Sequence, residues 1–295
     1  MAPVTRRAWL RAGGGLVLAT GSLGAYAFGI EPHWRLVVRR HALTPPGWPP
    51  GSHLRLAALT DLHAGDPIMS LGRIEEIVAA TNALNPDIVV LLGDYGAASR
   101  FVRRAIPHGE VAVALAGLRA PLGVHAVTGN HDWWEDGTRE IRPHHVTVIA
   151  RSLEGRGIGV LRNTARPLAT PGGARFWLAG VESSWAYGNG RGADDLPAAL
   201  RAVADEAPVI LLAHEPDIFP RVPARVSLTL SGHTHGGQVR VLGHAPFVPS
   251  RFGTRYLQGH IVEEGRHLIV SAGLGCTRVP IRLGVPPEIL LVELG

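Results

Sequence analysis

The feature that most constrains this sequence is a series of short apolar runs that each stop abruptly at Asp, Asn or His. Residues 88–92, for example, form a continuous apolar run between Pro86-Asp87 and Gly93-Asp94, which is the pattern of a strand buried on both faces. Because helical patterns separate the early runs, their order predicts an α/β architecture with parallel strands. The predicted strands cover residues 54–59, 88–92, 124–127, 176–181, 209–213, 226–230, 267–271 and 289–293.

The spacing of apolar residues indicates the helices between these strands. Leu71, Ile74, Ile77 and Val78 recur at intervals of three and four, which describes one apolar face of an amphipathic helix. Ser70 precedes this pattern and is predicted to cap the helix. Two further helices are predicted at residues 110–119 and 196–206.

Polar clusters at the strand ends carry the functional signal, because ligands of open α/β sheets bind outside the carboxyl ends of the strands. Each residue alone has a structural explanation, such as an Asx-turn for Asp61 or a satisfied core histidine for His214. Five clusters at five strand ends need partners for their carboxylates and imidazoles, and a metal centre supplies such partners. The residues concerned are Asp61, His63, Asp94, Asn130, His131, His214, His233 and His235.

Composition limits which partners can be inferred. The chain has 295 residues, of which 46% are hydrophobic and 18% are charged, so it has ample material for a packed core. The net charge of +5 rests entirely on Arg, since the sequence contains no Lys, and this is typical of a genome-wide coding bias. Basicity is therefore weak evidence for a nucleic-acid partner, and none is expected. The single Cys276 excludes both an intramolecular disulfide and a zinc site built from cysteines.

Residues 1–30 are predicted to be a sorting signal. The segment at residues 5–11, TRRAWLR, resembles a twin-arginine export signal. The 19 residues 12–30 carry no charge and would span about 28 Å as a helix, close to the hydrocarbon thickness of a membrane. Two alternatives follow, a signal cleaved near Ala27 or a retained membrane anchor. In both, we expect the body of the protein on the extracytoplasmic side.

Residues 31–52 are predicted to connect this signal to the main domain at residues 53–295. Their second part, from Pro45 to Gly51, is rich in Pro and Gly and cannot form a helix interior. The upstream residues 34–40 have two interpretations, a strand of the main sheet or a basic strip at the membrane surface. We favour the strand.

Together, these motifs resemble the calcineurin-like metallophosphoesterase family, and in particular an exported or membrane-attached bacterial subgroup. They follow one another in the family's order, and every metal-ligand position of the family is filled. The resemblance implies an α/β fold in which a two-sheet sandwich is flanked by helices. The motifs are DLH at residues 61–63, GD at 93–94, GNHD at 129–132, HEPD at 214–217 and GHTHGGQ at 232–238.

Carried over position by position, the resemblance implies a centre of two divalent metal ions. Asp94 would bridge them, since a carboxylate has two oxygens and can span cations about 3.5–4 Å apart. Mixed His, Asp and Asn donors suit Mn²⁺, Fe²⁺ or Zn²⁺, so the identity of the metals stays open. The other ligands would be Asp61, His63 and His235 for one ion, and Asn130, His214 and His233 for the second ion.

The same resemblance implies the reaction. A water or hydroxide shared by the ions would attack phosphorus in line with the leaving oxygen. His131 lies outside the ligand set and is the candidate catalytic acid or electrostatic stabiliser. Asp132 either orients the His131 ring or caps the following segment, and Trp133 and Trp134 either wall the substrate pocket or pack in the core. Arg282 either contacts an anionic substrate group or is a solvated surface residue.

The predicted activity is hydrolysis of a phosphoester or pyrophosphate bond in a phosphorylated small molecule or a lipid-linked substrate. One alternative is a lipid-linked nucleotide pyrophosphatase of the type that acts on UDP-diacylglucosamine. Another is a non-catalytic binding module that keeps the same fold, which missing ligands would favour. The sequence opposes an amidohydrolase, because a chain without Lys cannot form a carbamylated-lysine bridge between metals.

Overall fold

Two six-stranded β-sheets lie face to face in the computed structural model, which describes residues 20–137, 145–188 and 191–295. The strands are β1 Val37–Leu43, β2 Leu54–Leu59, β3 Gly65–Asp66, β4 Ile88–Leu91, β5 Arg104–Ala105, β6 Val124–Ala126, β7 Gly159–Val160, β8 Thr164–Ala169, β9 Arg175–Gly180, β10 Val209–Leu212, β11 Leu228–Ser231, β12 Gly259–Glu263, β13 Arg266–Val270 and β14 Glu288–Leu294. The α-helices are α1 Glu31–Trp34, α2 Leu71–Asn82, α3 His108–Leu115, α4 Asn130–Glu135, α5 Val148–Glu154 and α6 Leu196–Arg201. A π-helical turn covers Tyr26–Ile30, and 3₁₀ turns cover Pro216–Arg221 and His235–Gly237.

Each sheet has parallel strands at its centre. The first sheet has the order β1-β14-β2-β4-β6-β7, and β2, β4, β6 and β7 run parallel. The second has the order β12-β13-β11-β10-β9-β8, and its four inner strands run parallel. β14, β8 and β12 are antiparallel to β2, β9 and β13 respectively. The predicted parallel arrangement is therefore confirmed for the centres of the sheets, and antiparallel pairs complete them.

Alternation of side chains along the strands divides the core into three layers. Between the sheets, Leu56 and Val90 of the first sheet share one apolar cluster with Leu178 and Ile210 of the second. The outer face of the first sheet packs against α2, α3 and α5, and that of the second packs against α6 and the 3₁₀ turn after β10. The predicted two-sheet sandwich flanked by helices is confirmed.

Most predicted elements are present with shifted ends. The helix predicted from Leu71 is α2, and the Ser70 hydroxyl accepts a hydrogen bond from the backbone N–H of Arg73 at 3.3 Å, as a cap does. The helices predicted at residues 110–119 and 196–206 are α3 and α6, and both end earlier than predicted. The sequence analysis missed α5 and the strands β8 and β12, whose half-exposed patterns contain no continuous apolar run.

The segment before the main domain contributes to the first sheet. The strand predicted at residues 34–40 is present as β1, shifted by three residues, and it pairs in parallel with β14. The helical residues upstream also attach to the body, because Glu31 is only 2% exposed. Its carboxylate accepts hydrogen bonds from the backbone N–H groups of Gly284 at 3.0 Å and Val285 at 2.6 Å. The end of the N-terminal helical stretch is thus attached to the loop that precedes β14.

The predicted sorting signal lies largely outside the described residues, and this includes the twin-arginine motif at residues 5–11. The described part of the N-terminal segment is helical from residue 20 to Trp34. Among the residues that the structure describes, no helix has the length and apolar character needed to cross a membrane. The choice between a cleaved signal and a retained anchor stays a prediction.

Replacing Glu31 with alanine is expected to lower the free energy of unfolding by about 1–3 kcal/mol, because the buried N–H of Val285 and the more exposed N–H of Gly284 lose their acceptor. Glu75→Ala on the exposed surface of α2 is the matched control and should change this free energy by less than about 0.5 kcal/mol. Denaturant unfolding of the full chain measures both values. Equal, small changes would show that the attachment of Glu31 contributes nothing to the folded state.

Candidate functional site

The predicted site residues meet where strands of both sheets end. Strands β2, β4 and β6 of the first sheet and β10 and β11 of the second lead directly into the loops that carry these residues. All of them are buried except His131, which is partly exposed. The sheets therefore contribute to one site from two sides. The residues brought together are Asp61, His63, Asp94, Asn130, His131, His214, His233 and His235.

The first group of potential metal ligands consists of Asp61, His63 and His235. The Nε2 atoms of His63 and His235 lie 3.1 Å apart, and His235 Nε2 lies 3.3 Å from Asp61 Oδ1. One ligand atom from each side chain lies within 4.8 Å of the other two. Two imidazole nitrogens and a carboxylate oxygen at this spacing suit a divalent transition metal.

The second group consists of Asp94, His214 and His233, with the same spacing between ligand atoms. Asp94 Oδ2 lies 3.1 Å from His214 Nε2 and 3.7 Å from Nε2 of His63, which belongs to the first group. Asp94 therefore stands between the two groups, where a bridging carboxylate has to be.

Two buried polar atoms at this place, Asn130 Oδ1 and His233 Nε2, have no hydrogen-bond partner among the described residues, and a third, His214 Nε2, is paired with Asp94 Oδ2 at 3.1 Å. An unsatisfied buried polar group costs about 1–3 kcal/mol, and protein interiors leave few of them. A cation bound by all three atoms would satisfy them together. The residues present therefore fit the second metal ion that the sequence analysis predicted.

Backbone carbonyl groups hold the opposite ring nitrogens of two of these histidines. His63 Nδ1 lies 3.1 Å from the carbonyl oxygen of Gly96, and His214 Nδ1 lies 2.7 Å from that of Leu92. A proton on Nδ1 donates to each carbonyl and leaves the lone pair of Nε2 free. This tautomer is the one that binds a metal ion through Nε2.

Burial changes the charge states of the site residues. It lowers the pKa of His63 and of His233 to about 3, so both imidazoles stay neutral and able to ligate. It raises the pKa of Asp61 to about 6. Burial also acts to raise the pKa of Asp94, but the facing His214 and its neighbours lower that pKa well below the usual range. Burial acts to lower the pKa of His214, but the Asp94 carboxylate raises that pKa well above its ordinary value, so a protonated His214 places a positive charge where a cation would otherwise stand.

The backbone is strained at most of the ligand positions. Non-glycine residues rarely adopt a left-handed φ, and such residues cluster at functional sites because the surrounding structure must hold them there. The sequence contains no direct signal for this strain. The φ angles are 55° at Asp61, 47° at His63, 59° at Asp94, 69° at His233 and 51° at His235.

Two glycines allow loops from different strands to approach the ligand carboxylates. A Cβ atom on Gly129 would lie 2.2 Å from Asp94 Oδ1, and one on Gly232 would lie 2.5 Å from Asp61 Oδ2. Both distances are far below van der Waals contact. A side chain at either position would displace a ligand, which gives the flanking glycines of the two motifs a physical reason.

His131 lies beside the two groups of ligands. Its ring centroid is 5.0 Å from that of His63 and 4.9 Å from that of Trp134, and both contacts are edge-to-face. Its backbone N–H donates a hydrogen bond to Asp94 Oδ1 at 2.9 Å. His131 is therefore fixed next to the predicted metal bridge while part of it remains accessible.

The tryptophans that follow His131 have different roles. Trp133 is 2% exposed and donates through Nε1 to the Thr128 hydroxyl at 3.1 Å, so the core-packing interpretation is confirmed for it. Trp134 donates through Nε1 to the backbone carbonyl of Trp185 at 3.2 Å, and the Trp185 ring lies 5.1 Å from that of His233. Trp134 and Trp185 thus form an aromatic wall beside the site.

Asp132 acts as a cap for the loops that carry the ligands. Its buried carboxylate accepts hydrogen bonds from three backbone N–H groups, those of Asp94 at 2.9 Å, Tyr95 at 2.9 Å and Gly129 at 2.7 Å. The capping interpretation is therefore confirmed. These bonds fix the loop of Asp94 relative to the start of α4, which holds Asn130.

Arg282 is not a solvated surface residue, and that interpretation is wrong. Its side chain is fully buried, and its guanidinium donates to the carbonyl oxygens of Gly275 at 2.6 Å, Ala272 at 2.9 Å and Val285 at 3.0 Å. One of its nitrogens also lies 3.4 Å from His235 Nδ1. The guanidinium thus holds a loop against a potential metal ligand, and contact with an anionic substrate group stays a prediction.

Two buried glutamates support the site, and the sequence predicts no role for either of them. Glu215 follows His214 and accepts a hydrogen bond from the backbone N–H of Ser184 at 2.8 Å. Glu182 accepts one from the Thr128 hydroxyl at 2.5 Å, and burial raises the pKa of Glu182 to about 7. Glu182 directly follows the strand predicted at residues 176–181, and this position is the signal from which a role near the site could have been predicted.

Comparisons with known proteins agree with this geometry. Residues 54–237 match the sequence profile of the family described as calcineurin-like phosphoesterase. The chain is 30% identical over 301 residues to the uncharacterised metallophosphoesterase YkuE of Bacillus subtilis, and the alignment covers 100% of this chain and 99% of that protein. It is 30% identical over 296 residues to the phosphodiesterase YaeI of Escherichia coli, covering 99% of each.

A third relative is longer than this chain. It is a transmembrane protein with a metallophosphoesterase domain from Danio rerio, 32% identical over 256 residues, covering 82% of this chain and 53% of that protein. The profile match extends over more than half of the chain and contains all the residues of the site. These relatives identify a hydrolase that acts on phosphoric ester bonds. The chain belongs to the calcineurin-like phosphoesterase family.

Proposed function

We propose that this chain hydrolyses a phosphodiester bond with the help of two divalent metal ions. The observation that carries the proposal is the pair of buried donor groups with Asp94 between them, where Asn130 Oδ1 and His233 Nε2 have no hydrogen-bond partner within the described part of the chain. When bound, the ions would supply a water of lowered pKa and positive charge next to the phosphoryl oxygens. The holding residues would be Asp61, His63, His235 and Asp94 for one ion, and Asn130, His214, His233 and Asp94 for the other.

The reaction requires a proton that the chain can deliver. In hydrolysis, a bond forms between the oxygen of water and phosphorus, and the bond from phosphorus to the leaving oxygen breaks. An alkoxide leaving group then takes up a proton. We assign this proton to His131, because it lies beside both donor groups, is partly exposed and is outside the ligand set. Its contact with Trp134 restricts the orientation of the imidazole.

The name of the Escherichia coli relative, a phosphodiesterase, supports a diester as substrate. A pyrophosphate bond, as in a nucleotide linked to a lipid, remains the alternative. Its leaving group is a phosphate, which departs without an added proton far more readily than an alkoxide does. Dependence on His131 therefore separates the two substrates. A non-catalytic module is disfavoured, because no ligand position and no His131 is missing.

We also propose that the protein is exported across the cytoplasmic membrane or anchored in it, with its catalytic body on the extracytoplasmic side. The motif at residues 5–11 and the uncharged run at residues 12–30 support this location. The attachment of Glu31 to the body supports retention of the segment around it.

Metal binding is expected to stabilise the fold. Adding Mn²⁺ or Zn²⁺ to chelator-treated full chain, at about 100 times the dissociation constant, should contribute about 2.7 kcal/mol and raise the Tm by about 5 °C. Thermal unfolding with and without metal measures the effect, and Ca²⁺ is the control ion, since these donors favour transition metals. An unchanged Tm together with no stoichiometric metal by elemental analysis would refute the metal centre.

Removal of the bridging carboxylate should affect both metals. We expect elemental analysis to find two ions per chain in the unmodified protein, about one in Asp61→Ala, and fewer than one in Asp94→Ala. The Asp61 variant is the matched control, because it removes a buried carboxylate that is a potential ligand of the first group alone and meets the second group only through the backbone N–H of His233. Two retained ions in Asp94→Ala would show that Asp94 is not a bridge.

His131→Ala is expected to lower kcat about 100-fold for a diester with an alkyl leaving group and less than about tenfold for one with a nitrophenyl leaving group, because the latter needs little protonation. Metal content should be unchanged. His267→Ala, outside the site, is the control. Equal losses with both substrates would contradict the assignment of His131 as the proton donor.

A further inference from the structure

Exposed apolar side chains are concentrated in segments next to the loop of His233 and His235. Leu242, at the tip of a hairpin, is 95% exposed, and Trp34 is 80% exposed. Groups of large apolar side chains at the surface mark interaction sites. The segments are the helical stretch at residues 20–34, the hairpin at residues 239–247, and the loops at residues 99–101 and 277–279. Their exposed members, which we call the docking face, are Leu23, Phe28, Ile30, Trp34, Phe101, Val241, Leu242, Phe247 and Val279.

Backbone contacts join the hairpin to the N-terminal helical stretch. Arg240 N donates to the carbonyl oxygen of Leu283 at 2.7 Å, and Leu283 N donates to that of Gln238 at 3.0 Å. The two residues after Leu283 are those that bind the Glu31 carboxylate. The hairpin and the helical stretch therefore adjoin the same short loop.

The loops on the other side are joined to the hairpin through Arg278. Its guanidinium lies over the Phe247 ring, 4.6 Å from the ring centroid. Its backbone N–H donates to the carbonyl oxygen of Ala98 at 3.2 Å, and its own carbonyl accepts from the Ser99 hydroxyl at 3.0 Å. The docking face is thus a chain of contacting segments rather than a set of isolated side chains.

A groove of about 360 Å³ lies within this face and reaches the metal site. Its volume is in the range of ligand sites, about 300–1,000 Å³. His235, a ligand of the first group, lines the groove, as do the apolar side chains of Phe247 and Val279. A substrate in the groove can therefore place its phosphate near the metal ligands while an apolar portion contacts Phe247.

Residues 218–262 contain five Arg and no Asp or Glu, and residues 265–287 contain three Arg and no Asp or Glu. Carboxylates outside these ranges pair with Arg221, Arg251, Arg255 and Arg266, and Arg282 is buried. Arg240 and Arg278 form no ion pair with any residue that the structure describes. Arg100 and Arg278 line the groove itself. An Arg close to an anionic membrane is attracted to it. Apolar tips surrounded by arginines are the arrangement found in proteins that bind membrane surfaces.

We propose that the docking face binds a bilayer that contains anionic lipids, and that the groove holds the apolar part of a lipid-borne phosphodiester. The proposal rests on the phosphodiesterase function proposed above and names its substrate class. A bilayer explains the exposed tip at Leu242 and the two arginines, Arg100 and Arg278, that line the groove. It also explains why the uncharged run at residues 12–30 leads into a helical stretch that ends beside this face.

Membrane contact at Leu242 can be measured directly, because the single natural Cys276 is buried and leaves an introduced cysteine free for labelling. Leu242→Cys carrying a polarity-sensitive fluorophore should show a shift of its emission to shorter wavelength on vesicles of phosphatidylglycerol and phosphatidylcholine, and a smaller shift on phosphatidylcholine alone. Val113→Cys, equally apolar and 51% exposed on α3, is the matched control and should show no shift.

Three outcomes would overturn membrane docking by this face. They are no shift at residue 242, equal shifts at residues 242 and 113, or a short-wavelength emission at residue 242 before vesicles are added, which would mean that another part of the chain covers it. The measurement does not depend on catalysis, so it decides the docking proposal even if the enzyme assay fails.

Turnover then tests the substrate class. Leu242→Asp should reduce hydrolysis of vesicle-borne phosphatidylglycerol about tenfold and leave hydrolysis of a soluble nitrophenyl diester unchanged, whereas Val113→Asp should change neither. Soluble turnover without lipid turnover in the unmodified protein would refute the lipid substrate and leave the proposed function intact. Absence of both activities in metal-loaded protein would refute the proposed function itself.

Discussion

The burial of seven ligand-type side chains at one point is the constraint on which the rest of the structure depends. Carboxylates and imidazoles out of contact with water require compensation, and those of Asp94, Asn130 and His233 do not fully compensate one another. The two cations that we propose would provide what the chain lacks. The fold in turn provides what the cations need, which is a set of donors from both sheets, held apart at fixed distances.

Buried polar residues that do not touch the cations maintain these distances. Asp132 binds the backbone of two ligand loops, and Arg282 binds three carbonyl groups around the loop that lies against His235. Glu215 ties the loop of His214 to the segment after β9. Each of these side chains fixes a loop through hydrogen bonds to its backbone. Such bonds help to hold the five potential ligands that have a left-handed backbone conformation.

The sequence predicted the parts of the molecule that local patterns encode. The inner strands are continuous apolar runs, and the ligands directly follow them, so both could be located by counting along the chain. The burial of Glu31 and Arg282 could not be predicted in this way, because it depends on hydrogen bonds to backbone groups of loops that no local pattern identifies. The edge strands β8 and β12 also escaped prediction, since half-exposed strands lack the apolar run that identifies inner ones.

The position of β14 has a consequence for how the molecule is made. This strand lies between β1 and β2. Until residues 288–294 have been synthesised, β1 has no neighbouring strand and β2 lacks one of its two neighbours. Contacts over such a sequence separation form late and slowly. The sheet that presents Asp61 can therefore be completed only after β14 has been synthesised. A chain exported during its translation would cross the membrane before this sheet is complete.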